Sequence, residues 1–469
     1  MARPEAADVV IVGAGLSGLT AAQHVQQAGY SCILLDAEDR VGGMTLSVKT
    51  TRAAVDSGAA WLNDTTQPHI WALVKKYGLT PEAQNSDGEL LREMQDGSIL
   101  TGTEGNKQLT PGELKAMADF FGQVGPIVES IDPDKPHEHP DAAKLDSITL
   151  AQFCKDKSGN ELVAFLLNSS VRYLLGVEAD EISALWFFAY AKAGTGLQNM
   201  MSARQGGGQY LRLHEGTQTL SRKLAAELSP KRVRLSSPVS AITHSPDGCT
   251  VTTTAGKAFR SRRVIVSIPT PLYRKIDFSP PLPATKQQLS SATFMGFFAK
   301  VTLVYSKPWW QDHGLNAIFE SALGPVIYSR STSIPSTNHW SITGFVVGEP
   351  GRRWSKLSAE DRKAAVIKQL SHGFGSHIGS EVPAPVEYVE EDWSKRAYFG
   401  GGPMPVMGPG AVTGPAKGAW AEPVGPVHFV GSETASAWRG YMEGAVRSGL
   451  RGAEEVIAGL KRQTQGGKL

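Results

Sequence analysis

Three glycines and one carboxylate near the start of the chain have the types and spacing to hold a phosphate-bearing dinucleotide. Gly13, Gly15 and Gly18 form a G-x-G-x-x-G pattern between the apolar run Val9–Val12 and the helix-patterned stretch Ser17–Ala28, and Asp36 closes the next strand-like run. In that context the first glycine permits a tight turn, the second lets backbone approach a pyrophosphate, and the third lets helix pack on strand. Leu16 and Ser17 would open the helix, whose N-terminus attracts the anion. Asp36 is placed to accept hydrogen bonds from a ribose diol, with Ala37 beside it. Asp39-Arg40-Val41-Gly42-Gly43 follows directly; paired glycines let backbone pass close to phosphate while Arg40 offsets its charge, although a surface Gly-Gly turn would use the same residues. A different chemistry is suggested by Lys300, in Phe298-Ala-Lys-Val-Thr-Leu-Val-Tyr305. An ammonium among apolar strand residues is costly to bury without a purpose, unless it snorkels to a solvated edge.

The surrounding pattern supplies elements for these groups. Val9–Val12, Ser17–Ala28 and Ser31–Asp36 read as a β-α-β unit. After about residue 85 the pattern turns polar and helical, through 107–121 and 145–176, with aromatic residues dense from Ile182 to Ala193. Strand character returns at 233–254, 263–269, 297–305, 326–329 and 341–347, then a helix over 358–371, a strand at 427–430 and a helix from about 440 to 460. The 469 residues, 41% hydrophobic, suffice for two or three domains. With 47 basic against 45 acidic residues and no long run of one sign, a nucleic-acid partner is not expected. Cys32, Cys154 and Cys249 are too scattered for a disulfide framework or zinc site. No apolar run reaches the ~18 residues of a membrane span. A soluble cytoplasmic chain is the expectation; the terminal Gly467-Lys468-Leu469 resembles a peroxisomal Ser-Lys-Leu address, except at its first position.

The dinucleotide fingerprint alone does not separate nicotinamide from flavin. The placement of Arg40-Val-Gly-Gly43 resembles the second glycine signature of the amine oxidase and polyamine oxidase superfamily, with Met44 where many members carry a cation. Val55-Asp-Ser-Gly58-Ala59-Ala60-Trp61-Leu-Asn-Asp64 resembles the segment beside the flavin ring, most closely that of soluble fungal monoamine oxidases. Ser183-Ala-Leu-Trp-Phe187, Gly207-Gly-Gln209, Gly216-Thr-Gln-Thr-Leu220 and Pro238-Val239 follow in the family's order. Gly431-Ser432-Glu433 and Gly440-Tyr441-Met442-Glu443-Gly444 resemble its C-terminal flavin-binding element. A helix N-terminus there would stabilise negative charge on a reduced ring.

The resemblance implies an α/β fold, in which a Rossmann-type FAD-binding domain (1–85, 210–290, 391–462) interleaves with an α+β substrate domain (86–209, 291–390). This is the amine oxidase and p-hydroxybenzoate hydroxylase-like architecture, here with a flexible tail from 463. It implies an FAD-dependent amine oxidase that takes a small amine and O2, with a homodimer or larger homo-oligomer left open. Lys300 matches the lysine that holds a water near flavin N5, and Tyr441 one wall of an aromatic cage for the amine. Val239 and Trp393 are implied FAD contacts; Tyr173, Leu174 and Gln209 align with pocket positions. In Trp393-Ser-Lys-Arg-Ala-Tyr-Phe-Gly-Gly-Gly402-Pro403, Gly402 replaces the cysteine that attaches flavin in the animal enzymes. The FAD is therefore expected to be noncovalent. Pro403 replaces the second cage aromatic, so Trp438, Tyr398 or Trp61 would have to complete the cage. Two alternatives share these residues: an oxidocyclase of specialised metabolism acting on a secondary amine or indole-bearing intermediate, and a flavin-binding interaction protein without turnover.

Overall fold

The computed structural model describes residues 4–103, 106–107 and 110–466, and two eight-stranded sheets organise it. In the first, the strands run in the order 233–234, 32–35, 5–12, 258–266, 248–253, 239–245 and 277–279. Glu5–Val12 pairs in parallel with Cys32–Leu35 on one side and Ala258–Val266 on the other. Val427–Phe429 adds in parallel to the second half of Ala258–Val266, whose first half pairs antiparallel with Gly248–Thr253. Val9, Val10 and Ile11 are wholly buried, as expected of a parallel strand covered on both faces. Helix Leu16–Gln27 packs with the long final helix Met442–Gly466 in one apolar core, so the chain's two ends meet.

The second sheet runs 387–392, 298–305, 340–347, 326–331, 315–321, 89–93, 99–103 and 106–107. Phe298–Tyr305 is buried along its whole length, which explains why it reads as an apolar run interrupted only by Lys300 and Thr302. A helical layer covers this region. Its helix Glu161–Leu175 starts at Asn160, whose side chain accepts from the Leu162 and Val163 N–H groups, and stops at Gly176 in the left-handed conformation. Ala184–Ala193 has Ser183 as N-cap and is buried almost all round, consistent with its apolar composition.

The structure adds elements absent from the sequence reading, among them the edge strand Glu387–Asp392 and the helices Pro68–Tyr77, Gln218–Ala226 and Ala284–Ala292, and it redraws others. The expected helical segment from 107 begins instead at Pro111, under a Thr110–Glu113 capping box, and runs to Ser130. The stretch after 85 read as helical also holds the strands Glu89–Glu93 and Ile99–Thr103; Leu315–Ser321, the parallel partner of Glu89–Glu93, went unread as well. Residues 463–466, expected in a flexible tail, continue the last helix, while Gly467-Lys468-Leu469 lies outside the described residues.

Candidate active site

A cavity of about 480 Å³ runs from the ends of the first sheet's parallel strands to the face of the second sheet. The two glycine motifs meet at its start. Gly15 and Gly42 form a parallel bridge, and the Gly42 N–H donates to the Ala14 carbonyl at 2.8 Å. A Cβ on Gly13 (φ +105°) would sit 2.2 Å from the Ser267 carbonyl oxygen, and one on Gly18 2.0 Å from the Gly13 carbonyl oxygen. Both glycines are demanded by the fold. Gly15 is different: its φ of −72° suits any residue, and a Cβ there would meet only Gly43 Cα, at 3.8 Å. Packing within the protein does not require a glycine at this position, and the missing Cβ leaves room for a pyrophosphate to approach the backbone from the cavity. The adjoining helix has no side-chain cap and no acidic residue in its first turn, which leaves its N–H groups for an anion. Asp36 accepts from the Ala14 N–H at 2.5 Å and the Glu38 N–H at 2.8 Å, one on each oxygen. Each oxygen keeps a lone pair for a ribose hydroxyl. These features fit a dinucleotide cofactor.

Farther along, the lining contains Met44, Gly58, Ala59, Ala60, Trp61, Gly431, Ser432, Glu433, Gly440, Tyr441 and Met442. Glu433 is buried and its Oε1 accepts from the N–H and hydroxyl of Thr270, both at 3.1 Å; burial raises its pKa. Lys300 is 4% exposed. Its Nζ donates to the carbonyls of Gly58 at 2.5 Å and Asp56 at 3.4 Å, and lies 4.8 Å from the Trp61 ring and 5.2 Å from that of Phe345. Burial lowers its pKa to about 8, against the opposing pull of the Asp56 carboxylate. Asp56 itself is pushed upward by burial and held by Ser47 Oγ at 2.6 Å and the Thr217 N–H at 2.9 Å.

The far end is aromatic. Tyr173, Tyr190, Phe298, Phe345 and Tyr441 line it, with Leu174, Met295, Pro403 and Met404. Tyr173 donates its hydroxyl to Gln209 Oε1 at 2.9 Å, and Gln209 Nε2 donates to the Met200 carbonyl at 3.2 Å. Burial, reinforced by each other's proximity, raises the Tyr441 pKa; burial raises that of Tyr190 too, so both stay neutral phenols. The only carboxylates among the described lining residues are Asp36, Glu38 and Glu433, which stand on the first sheet's strand ends and the turn after its last strand.

All the sequence-predicted site residues line this one cavity except Gly18 and Arg40. Gly18 backs the loop against Gly13. The Arg40 guanidinium, expected beside phosphate, donates to the Gly43 and Thr45 carbonyls at 2.9 and 3.2 Å. Of the three candidates to replace the second cage ring, Trp438 stacks edge-to-face behind Tyr441 at 5.0 Å with its Nε1 bonded to the Thr66 carbonyl. Tyr398 is 40% exposed, and Trp61 sits under Lys300. Sequence reasoning missed Tyr190, Phe298, Phe345 and Glu38. Phe345 is the cross-strand partner of Lys300, a relation visible only once the strands are paired.

Comparison with known proteins gives one consistent result. The family model described as flavin containing amine oxidoreductase matches residues 16–457. A probable flavin-containing monoamine oxidase A of Dictyostelium discoideum is 30% identical over 450 residues, covering 96% of this chain and 97% of the relative. Flavin-containing amine oxidase B of Homo sapiens is 30% identical over 458 residues, covering 96% and 86%. Among solved structures, cyclohexylamine oxidase from Brevibacterium oxydans IH-35A superimposes with a TM-score of 0.89 at 27% identity, covering 97% and 99% of the two chains. Putrescine oxidase bound to putrescine gives the same score and identity, with 97% and 100% covered.

Proposed function

The chain belongs to the flavin-containing amine oxidoreductase family and is an FAD-dependent amine oxidase; within that chemistry, we propose that it holds FAD noncovalently and oxidises monoamines with an apolar or aromatic body. The observation that carries the substrate class is the aromatic end of the cavity, which has no carboxylate among its described lining residues to receive a second ammonium group. A diamine would leave a charge there unpaired, at a cost of several kcal/mol. The cyclohexylamine oxidase and the putrescine oxidase match this chain equally well, at the same TM-score of 0.89 and 27% identity, so the substrate class rests on the cavity lining. The comparisons favour plain amine oxidation over oxidative cyclisation.

Bound FAD supplies the electron chemistry: it takes a hydride equivalent from the carbon bearing the amine and passes the electrons to O2, leaving an imine, which water hydrolyses, and hydrogen peroxide. The residues of the chain do the rest. The amides of Gly15, Leu16 and Ser17 hold the pyrophosphate and Asp36 the ribose. Tyr441 offers a ring to the amine nitrogen, and Pro403, at the position where the resemblance places the second cage aromatic, gives the lining an apolar ring without a π face. The dry aromatic end favours the neutral amine, the form whose nitrogen lone pair can assist loss of hydride. Lys300, once deprotonated, spends its two N–H donors on Gly58 and Asp56 and turns its lone pair to the cavity. There it accepts a hydrogen bond from a water.

Anaerobic addition of cyclohexylamine, phenethylamine and putrescine to the yellow holoenzyme tests the proposal. The first two bleach the flavin, and in air give stoichiometric peroxide and carbonyl product; putrescine acts at least about 100-fold more slowly, as an unpaired charge costing some 3 kcal/mol requires. Preferred oxidation of putrescine would sink it.

A further inference from the structure

One guanidinium to which the sequence reading gave no role, that of Arg396 within the Trp393–Pro403 segment, ties the two sheets together beside the cavity. Arg396 Nε and Nη2 donate to Glu391 Oε1 and Oε2, each at 2.8 Å, and its Nη1 donates to Glu38 Oε2 at 2.9 Å. Glu391 lies on the edge strand Glu387–Asp392, where it is the cross-strand partner of Lys300. Glu38 follows the end of the first sheet's second strand by three residues and lines the cavity. The turn that Arg396 anchors, Trp393 to Phe399, contributes Trp393, Tyr398 and Phe399 to the cavity wall. The turn is also held by Trp393 Nε1 donating to the Ser57 carbonyl at 2.9 Å, Lys275 Nζ to the Ala397 carbonyl at 3.2 Å, Lys395 Nζ to the Ser355 carbonyl at 3.0 Å, and the Ser394 N–H and hydroxyl to Asp392 Oδ1 at 3.0 and 2.6 Å. Lys275 lines the cavity too.

We propose that Arg396 is a positioning residue that retains the cofactor: by clasping Glu38 and Glu391 it keeps the 393–399 wall closed along the cavity, and so slows FAD release in a chain whose Gly402 offers no side chain for a covalent tether. The clasp rests on the FAD reading and on noncovalent binding. Its geometry suits the task. The contact to Glu391 is bidentate, which fixes direction as well as distance. The three side chains are 30%, 14% and 15% exposed, sheltered enough to be stronger than a surface pair but still reached by salt. Removing the guanidinium takes away the only hydrogen-bonded cation from Glu38 and Glu391 among the described residues and leaves Arg40, whose Nε lies 3.9 Å from Glu38, to offset Asp36, Glu38 and Glu391 together. Their repulsion loosens the wall and opposes the cofactor's phosphates, so both effects speed release.

The test is FAD release from diluted holoenzyme, followed by recovery of free-flavin fluorescence at low and high salt. Arg396→Gln is expected to release FAD about 10-fold faster, the effect of losing roughly 1.4 kcal/mol of a part-buried charge pair, and to lose most of the wild type's acceleration by salt. Glu391→Gln, outside the cavity lining, should shift release in the same direction, and the double variant should be no faster than Arg396→Gln alone. Arg396→Lys, with one ammonium for two carboxylates, should fall between. Should Arg396→Gln not fold, Glu391→Gln and Arg396→Lys carry the same comparison. Release rates within twofold of wild type, additive effects in the double variant or an unchanged salt response would overturn the clasp. Wild-type protein that takes up no FAD would overturn the cofactor reading, and the clasp with it.

Discussion

Replacing Lys300 by methionine should leave the fold intact or more stable while disabling turnover. Burial lowers the pKa of this lysine from 10.5 to about 8, so its ammonium form costs about 3 kcal/mol more in the folded chain than in water. At pH 7, Lys300→Met removes that cost but leaves the Gly58 and Asp56 carbonyls without a donor, a loss of about 1–2 kcal/mol. The net expectation is a gain of about 1–2 kcal/mol. The pH dependence gives the sign independently. Below pH 8 the lysine is protonated in both folded and unfolded chains; between 8 and 10.5 the unfolded chain holds a proton that the folded one has shed, so stability rises with pH across that window. The variant lacks this rise, so the difference should shift by about 3 kcal/mol in favour of wild type from pH 7 to 10.5 and change sign, leaving the variant the less stable by about 1–2 kcal/mol. Urea titrations of both proteins at several pH values measure it. Turnover of the yellow variant should fall about 100-fold, the scale of losing one preorganised polar group at a reacting centre. Destabilisation by more than about 1 kcal/mol at pH 7, a pH response equal to that of wild type, or turnover within a few-fold of it would each refute the reasoning.

The glycine loop offers a second test. Gly13→Ala should fail to fold stably, because its Cβ meets the Ser267 carbonyl at 2.2 Å, whereas Gly15→Ala should keep the thermal stability of the FAD-free protein and lose FAD affinity at least about 10-fold, since its Cβ enters only the space of the pyrophosphate; flavin titration with parallel melting curves separates the two. Gly402→Ala places a Cβ 2.9 Å from Met44 Cε, the mobile end of a flexible side chain, and should cost less than about 1 kcal/mol by melting curves. With simple monoamines, kcat/KM should climb with pH through about 8, where Lys300 loses its charge, and on toward the pKa of the free amine; Lys300→Met should lack the lower step. Tyr441→Ala should cut the rate of anaerobic flavin bleaching about 10-fold or more, while Tyr441→Phe, which keeps the ring face, should remain within a few-fold.

What the sequence showed and what it concealed divide along one physical line. The cofactor end was legible because backbone there must do unusual things: Gly13 takes a positive φ and Gly18 lets two main chains touch, and such demands leave glycines at fixed spacing. Lys300 was legible because a charge in an apolar strand has few reasons to exist. The aromatic end was not, because Phe298, Phe345 and Tyr190 are of the same types that fill any core, and only strand pairing and helix packing show that they face a cavity. Arg40 was ambiguous for the converse reason, since a guanidinium beside two glycines can serve phosphate or the loop's own carbonyls, and its two Nη groups bond the loop. The register completes the argument. Phe345 and Glu391 flank Lys300 across the two ladders, so a single row of the second sheet carries an aromatic ring of the substrate wall, the buried lysine, and the carboxylate that Arg396 grips. A one-residue slip of Glu387–Asp392 would turn Glu391 to the opposite face and unfasten the clasp. The register of an edge strand thus bears on how firmly the cofactor is held, a dependence that no local motif in the sequence encodes.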